Sequence, residues 1–235
     1  MRLHRFIGDF DLKKGTIPIT HGDFLNQARN VLRLKIGDRI ILSDGRGMEA
    51  EGILEGLDKK RALVHISNRS ENRNEPECKV ILYCALIKRE NFEWVVQKAT
   101  EVGVTAIVPI ISERTVKLSL KRERLLKIIK EAAEQSGRTV VPTSSDPMDF
   151  SDSLIEAEKN NDLNLIFIPQ ASALVSSLVF KKENKVGIFI GPEGGWTERE
   201  IEMARKKGLK SVSLGNLTLR SETAAVIATY LAAQN

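Results

Sequence analysis

From about Lys79 onward the sequence predicts an α/β domain on a mostly parallel sheet, preceded by a small β-rich unit. Three observations carry that expectation. Short apolar runs of strand length alternate with segments of helical period through the later part of the chain. Two glycine-bearing turns near the end, Gly191–Trp196 and Leu214–Arg220, each follow an apolar strand and open a helix. The first 70 residues instead hold short strand-like runs broken by Gly-Asp and Asp-Gly turns.

Taken in order, residues 1–70 suggest strands at Arg39–Leu42, Met48–Leu54 and Ala62–Ile66, with the turn Asp44–Gly47 between the first two. One helix is expected from about Asp23 to Val31, with Asp23 as N-cap and Phe24, Ala28, Val31 and Leu32 on one face. Asn68–Glu77 is polar, contains Pro76, and is the best linker candidate. A second domain over 78–235 then begins with a strand at Val80–Leu86. A helix over Asn91–Val102 follows, with Trp94, Val95, Ala99 and Val102 on one side and Gly103 as its stop. Ala106–Ile110 is a strand whose proline suggests an edge or a bend. Helices are expected at Leu120–Ser136, Ser151–Glu158 and Ser172–Phe180, with a strand at Leu163–Ile168 between the last two.

Composition excludes several classes. An apolar fraction of 42% and a charged fraction of 29% are ordinary for a globular protein. No apolar run is long enough to span a bilayer and no leader pattern opens the sequence, so a cytoplasmic location is expected. Cys78 and Cys84 with His4, His21 and His65 give no metal-ligand spacing, so no metal is expected and the cysteines read as small strand residues. The formal net charge of +5 is compatible with nucleic-acid binding without proving it. Basic residues crowd the first 75 positions, and a second group runs Lys117, Lys121, Arg122, Arg124, Lys127 and Lys130.

The two turns suggest one ligand held between adjacent loops at the carboxyl ends of strands, against backbone that glycine leaves bare. The dinucleotide spacing Gly-x-Gly-x-x-Gly does not fit Gly191, and no Gly-Lys-Ser/Thr of a phosphate-binding loop occurs. No Gly-x-Ser-x-Gly elbow is present either. Thr197 with Glu200 forms a capping box and so has a sufficient structural role. Glu193 lies inside the turn, between proline and two glycines, where a carboxylate has little structural purpose.

Gly191-Pro-Glu-Gly-Gly-Trp-Thr-Glu-Arg-Glu-Ile201 and Leu214-Gly-Asn-Leu-Thr-Leu-Arg-Ser-Glu-Thr-Ala-Ala225 together resemble the carboxyl-terminal signature of the SPOUT methyltransferases. The likeness is nearest to the RsmE family, which methylates N3 of a uridine in bacterial 16S ribosomal RNA. Gln97–Val104, Glu131–Arg138 and the opening Arg2-Leu-His-Arg-Phe6 also match that family, so the resemblance runs through essentially the whole chain. It implies a PUA-like RNA-binding β-barrel over 1–70 and a SPOUT α/β domain with a deep trefoil knot in about 163–235. It also implies a homodimer acting on the decoding region of 16S rRNA, within the small ribosomal subunit, with S-adenosyl-L-methionine as cofactor. By resemblance, the cofactor lies among Ile168 and Pro169, the turn Gly191, Pro192, Glu193, Gly194 and Gly195, and the stretch from Leu214 and Gly215 through Leu219. One departure stands out: Leu217 occupies a position where relatives usually carry arginine.

Uracil N3 becomes a good nucleophile once its proton leaves, and a nearby cation can stabilise the charge that spreads to the carbonyl oxygens. Arg220 is the candidate for that catalytic role and Glu222 for proton acceptor. A surface ion pair between the two is the alternative reading. Leu214 and Leu219 fit either cofactor contact or core. Arg2, Arg5, Arg33 and Arg138 are candidate RNA contacts, while Glu101, Glu134, Gln135 and Ser136 fit RNA, a partner subunit or water equally. Two other functions stay open at this level: a SPOUT enzyme with another rRNA or tRNA target, and a non-catalytic RNA-binding assembly factor.

Overall fold

The computed structural model describes residues 3–12, 15–71, 74–115, 120–175 and 185–234. They divide into two compact units, one of Met1–Glu75 with Ala133–Val141 and the other of Pro76–Ala132 with Pro142–Asn235.

The first unit is a five-stranded sheet in the order β1-β3-β4-β5-β2, from β1 (His4–Ile7), β2 (Thr16–Ile19), β3 (Arg39–Ser43), β4 (Met48–Leu57) and β5 (Ala62–Glu71). β1 and β3 are parallel; the other pairs are antiparallel. Alternation along β3 and β4 sends Ile40, Leu42, Ala50 and Leu54 to one face, where they pack with Phe6, Phe24 and Ile19. Two sequence expectations change here. The helix expected over Asp23–Val31 is a short α1 (Gly22–Asn26) that widens into a π-helical turn at Gln27–Val31, and its N-cap is His21 rather than Asp23. The wider turn rotates Val31 off the apolar face and leaves it exposed. The expected linker also starts later than its polarity suggests. Residues 68–71 continue β5 and pair with β4, and they are polar because that stretch of strand faces solvent.

Glu75 and the end of the third helix complete this unit. The Glu75 carboxylate accepts from Arg138 Nε at 3.1 Å and Nη2 at 2.7 Å, and from the backbone N–H groups of Thr139 and Val140 at 3.1 Å each. Glu134 accepts from the Ile7 N–H at 2.8 Å.

The second unit is an all-parallel sheet in the order β12-β10-β11-β6-β7-β8, with β9 also paired to β7. Its strands are β6 (Lys79–Ala85), β7 (Ala106–Ile111), β8 (Thr143–Ser144), β9 (Met148–Asp149), β10 (Leu163–Phe167), β11 (Lys185–Ile190) and β12 (Lys210–Val212). Its helices are α2 (Arg89–Val102), α3 (Arg122–Ser136), α4 (Phe150–Asn160), α5 (Glu198–Lys206) and α6 (Ser221–Ala233). Parallel strands covered on both faces read as continuous apolar runs, which is how β6, β10 and β11 look in the sequence. One face stacks Tyr83 on Phe189, ring centroids 4.3 Å apart, and sets Phe150 against both Phe189 and Trp196. α6 packs on β6, β11 and α2.

The proline of β7 is not at an edge. Pro109 pairs with Cys84 on one side, and on the other it falls between β8, opposite Ala106 and Ile107, and β9, opposite Ile110 and Ile111. The missing N–H sits in a gap where no neighbour needs it. Trp94, expected on the inner side of α2, is 43% exposed, whereas Val95 and Ala99 are buried. The helix expected at Ser172–Phe180 lies partly outside the described residues; among those described, Leu174 forms a parallel bridge with Ser213. Among the described residues no helix is long and apolar enough to cross a membrane, and no group of His, Cys, Asp and Glu could hold a metal ion.

Candidate active site

Because β10 lies between β11 and β12, the loops leaving these three strands are neighbours at one end of the sheet. Carboxyl ends of parallel strands are where open α/β sheets bind ligands. Hydrogen bonds tie the three loops together. Trp196 Nε1 donates to the Phe167 carbonyl at 3.2 Å, joining the Gly191 turn to the end of β10. The Ile168 N–H donates to the Val212 carbonyl at 2.9 Å, the Val175 N–H to the Ser213 carbonyl at 3.0 Å, and the Ser213 N–H to the Ala173 carbonyl at 2.8 Å. Ile168 is half-buried and Pro169 exposed at this seam.

The first turn is built tightly. The Gly195 N–H closes on the Pro192 carbonyl at 2.8 Å. Gly191 lies flat against the Trp196 indole, where a Cβ would meet the ring at 3.1 Å. The capping box then starts α5. The Thr197 N–H donates to Glu200 Oε2 at 2.8 Å and the Glu200 N–H to Thr197 Oγ1 at 3.2 Å. Glu200 is buried and also accepts from the Glu113 N–H at 2.9 Å, which brings in the loop after β7. From that loop Arg114 Nη1 donates to the Gly194 carbonyl at 2.6 Å. Glu193 is exposed, and its carboxylate lies 3.5 Å from the Lys88 N–H at the start of α2.

The second turn is open. Gly215 has φ +125° and Gly195 φ +67°, and at neither does a described atom beyond the adjoining residues lie within 4 Å of where a Cβ would be. Such backbone suits glycine and leaves a bare surface for a ligand. Leu214 and Leu219 are half-buried, and Leu217 is 80% exposed. Arg220 is the N-cap of α6 and makes no side-chain cap. Its side chain is 85% exposed and 4.0 Å from the Glu222 carboxylate, itself 14% exposed.

Cys84, at the carboxyl end of β6, is fully buried. Burial pushes its thiol up to about 12, and the negative charges of Glu193 and then Glu222 push it the same way. The two carboxylates therefore act on one point of the fold although 29 positions separate them in sequence.

The expected RNA contacts are placed differently from one another. Arg138 is buried and held by Glu75, and Arg5 is paired with Glu49 in a largely buried ion pair. Arg33 is exposed, with a left-handed backbone at φ +53°. Arg2 lies outside the described residues, as do Lys13, Lys14, Arg73 and Lys117 of the basic groups. Glu101 pairs with Lys98 at 2.8 Å, and Ser136 Oγ donates to the Ala133 carbonyl at 3.4 Å. Sequence reasoning missed Glu113 and Arg114. Their position just past β7, at the binding end of the sheet, is the signal that could have found them.

An RNA methyltransferase domain model matches residues 74–233, and an RNA methyltransferase PUA domain model matches residues 28–67. The ribosomal RNA small subunit methyltransferase E of Bacillus subtilis is 36% identical over 229 residues, covering 91% of this chain and 88% of that one. The chain belongs to the ribosomal RNA small subunit methyltransferase E family. Solved members of similar fold agree. The Neisseria gonorrhoeae methyltransferase E, bound to S-adenosyl methionine, superposes with a TM-score of 0.88 at 31% identity, covering 97% of this chain and 95% of that one. A Legionella pneumophila methyltransferase, also solved with bound S-adenosyl methionine, gives 0.88 at 30% identity, covering 97% and 96%.

Proposed function

We propose that this chain is an S-adenosylmethionine-dependent methyltransferase of 16S ribosomal RNA that modifies N3 of a uridine in the decoding region. The observation that carries this reading is the joining of three strand-end loops around two bare glycine turns, in a chain of this family. The residues present fit the cofactor. Gly195 and Gly215 each leave open space where a Cβ would stand, and the cradle proposed for it is made by the three joined loops that carry Ile168, Pro169, Pro192, Gly194, Leu214 and Leu219. Backbone N–H and C=O groups of the turns and the half-buried leucines would hold the adenosine part. When bound, S-adenosylmethionine supplies a methyl group on a positively charged sulfur.

The residues of the chain do the rest by position and charge. Arg220 points into solvent from the start of α6 and offers a cation to the uracil oxygens as N3 loses its proton. Glu222, in the first turn of the same helix, receives that proton. Glu193 orders the rim of the first turn. RNA phosphates meet the first unit around the exposed Arg33 and Lys35, with Arg2 as a further member of that basic set, whereas Arg5 and Arg138 are paired with Glu49 and Glu75 and hold the unit together. The target base must leave its stack to reach the cradle.

The same reading includes a homodimer and a trefoil knot within about 163–235. α6 is apolar on nearly every side and shows Ile227 and Tyr230 to solvent, and α2, on which it packs, exposes Trp94, which supports burial against a second copy. From β12, at the edge of the sheet, the chain returns as a helix packed on β6, β11 and α2, a path with which the knot implied by the family is compatible. A cytoplasmic setting follows from the ribosomal substrate.

The test is incorporation of labelled methyl from S-adenosylmethionine into ribosomal RNA, offered both as free 16S rRNA and as small subunits. Nucleoside mass spectrometry then identifies the product. The expected product is 3-methyluridine in 16S rRNA; a different methylated nucleoside, or none, would overturn the assignment.

A further inference from the structure

The loop after β7 enters the site through four residues, Ser112–Thr115, and it is fixed before it gets there. The Ser112 N–H donates to Thr115 Oγ1 at 2.9 Å, the two hydroxyl oxygens are 2.8 Å apart, and the Thr115 N–H returns to the Ser112 carbonyl at 3.1 Å. Ser112 is buried, so this small closed turn is anchored in the fold. It aims one group at the Gly191–Trp196 turn and one at the helix that the turn opens. The Glu113 N–H goes to Glu200, and the Arg114 guanidinium to the Gly194 carbonyl at 2.6 Å, with the Trp196 carbonyl 3.5 Å away.

The Arg114 stem does as much as its charge. A Cβ on Gly194 would lie 3.3 Å from Arg114 Cδ and 3.4 Å from its Cβ. Gly194 is therefore bare on the side where Arg114 lies along it. A peptide group is planar, so holding the Gly194 carbonyl also sets the direction of the Gly195 N–H, which closes the turn on Pro192. One side chain fixes the peptide plane immediately before the open, left-handed Gly195.

We propose that Arg114 is a positioning residue for cofactor binding: it locks the Gly194–Gly195 peptide and so keeps the first turn in its ligand-receiving form. This rests on the reading of that turn as the S-adenosylmethionine grip. Arg114 does not touch the reacting atoms; it acts through the turn.

The experiment is titration calorimetry of the full-length protein with S-adenosylmethionine, for wild type, R114A, R114K, G194A and the double variant R114A/G194A. Loss of a lock made by a charged donor predicts up to about tenfold weaker binding for R114A, with only a small fall in melting temperature because Arg114 is exposed. Lysine keeps one donor and most of the stem, so R114K should recover part of the loss. G194A should weaken binding by pushing the stem aside, yet add nothing further in the R114A background. That non-additivity is a signature a general loss of stability would not give. Wild-type binding with an unchanged R114A affinity, or simple additivity in the double variant, would overturn the role of Arg114. Failure of the wild type itself to bind would overturn the reading of the turn, and the inference with it.

Discussion

The two glycine turns share a plan but are held in opposite ways. The Gly191–Trp196 turn is braced by the Trp196 indole against β10, by Arg114 and Glu113 from the loop after β7, and by a complete capping box. The Leu214–Arg220 turn has a left-handed glycine, an exposed leucine and an N-cap residue that makes no side-chain cap. In the function proposed above, the contrast matches two tasks. A surface that grips a ligand gains from being fixed in advance, because ordering it on binding would cost free energy. An edge that must meet a large RNA and the base turned out from it gains from a cation carried in solvent.

The largest expected effect comes from filling the braced turn. In Gly195→Val a β-branched side chain would have to adopt φ +67°, a strained conformation, and its Cβ would occupy the open cradle. S-adenosylmethionine affinity should fall by more than about 100-fold, since strain and lost contact space add. Calorimetry measures this, and a thermal melt separates it from unfolding. Retained affinity would show that the first turn is not the grip.

Next is the open turn. Arg220→Ala should leave S-adenosylmethionine binding within about twofold, yet slow single-turnover methyl transfer by about 100-fold, the usual cost of losing one charge-stabilising donor. The group is exposed and its ion pair with Glu222 at 4.0 Å is weak, so stability should not change. Equal losses in binding and in rate would erase the division of labour between the two turns. An unchanged rate would return Arg220 to the role of surface ion pair.

What the sequence made legible follows the same division. The strand–turn–helix units, the capping box of Thr197 and Glu200, and the parallel sheet could be read because local pattern determines them. Elements shaped by distant packing could not. The π-helical turn at Gln27–Val31 and the exposure of Trp94 break a helical period that looked regular in sequence. Pro109 looked like an edge marker because the sequence cannot show a gap between β8 and β9. The block Glu131–Arg138 was recognisable by resemblance, but its physics was not. Arg138 and Glu134 there bind Glu75 and the Ile7 N–H, partners 63 and 127 positions away. Arg114 escaped notice for the same reason, being tied to a carbonyl 80 positions on. Leu217, by contrast, stands out in the sequence and is explained only in part by the structure. Its exposure shows that no packing demands leucine there.

The smallest effect is read by the buried thiol at the carboxyl end of β6. Cys84 is fully buried and its pKa is raised to about 12, by burial first and then by Glu193 and Glu222. The folded protein therefore holds the thiol proton more tightly than the unfolded chain, whose thiol titrates near the ordinary value of 9.0. The stability this contributes is fully present below that value and is lost as pH rises from there toward about 12. Denaturant melts across the alkaline range should show wild-type stability falling, with a shallower fall in Cys84→Ala. Tyr83, also raised by burial, keeps a residual slope at higher pH in both proteins. Glu193→Gln and Glu222→Gln should each flatten the limb, because both charges push the thiol up. Wild-type slopes in both glutamine variants would mean that neither carboxylate is felt at Cys84, and a wild-type slope in Cys84→Ala would mean that the thiol does not set the alkaline limb.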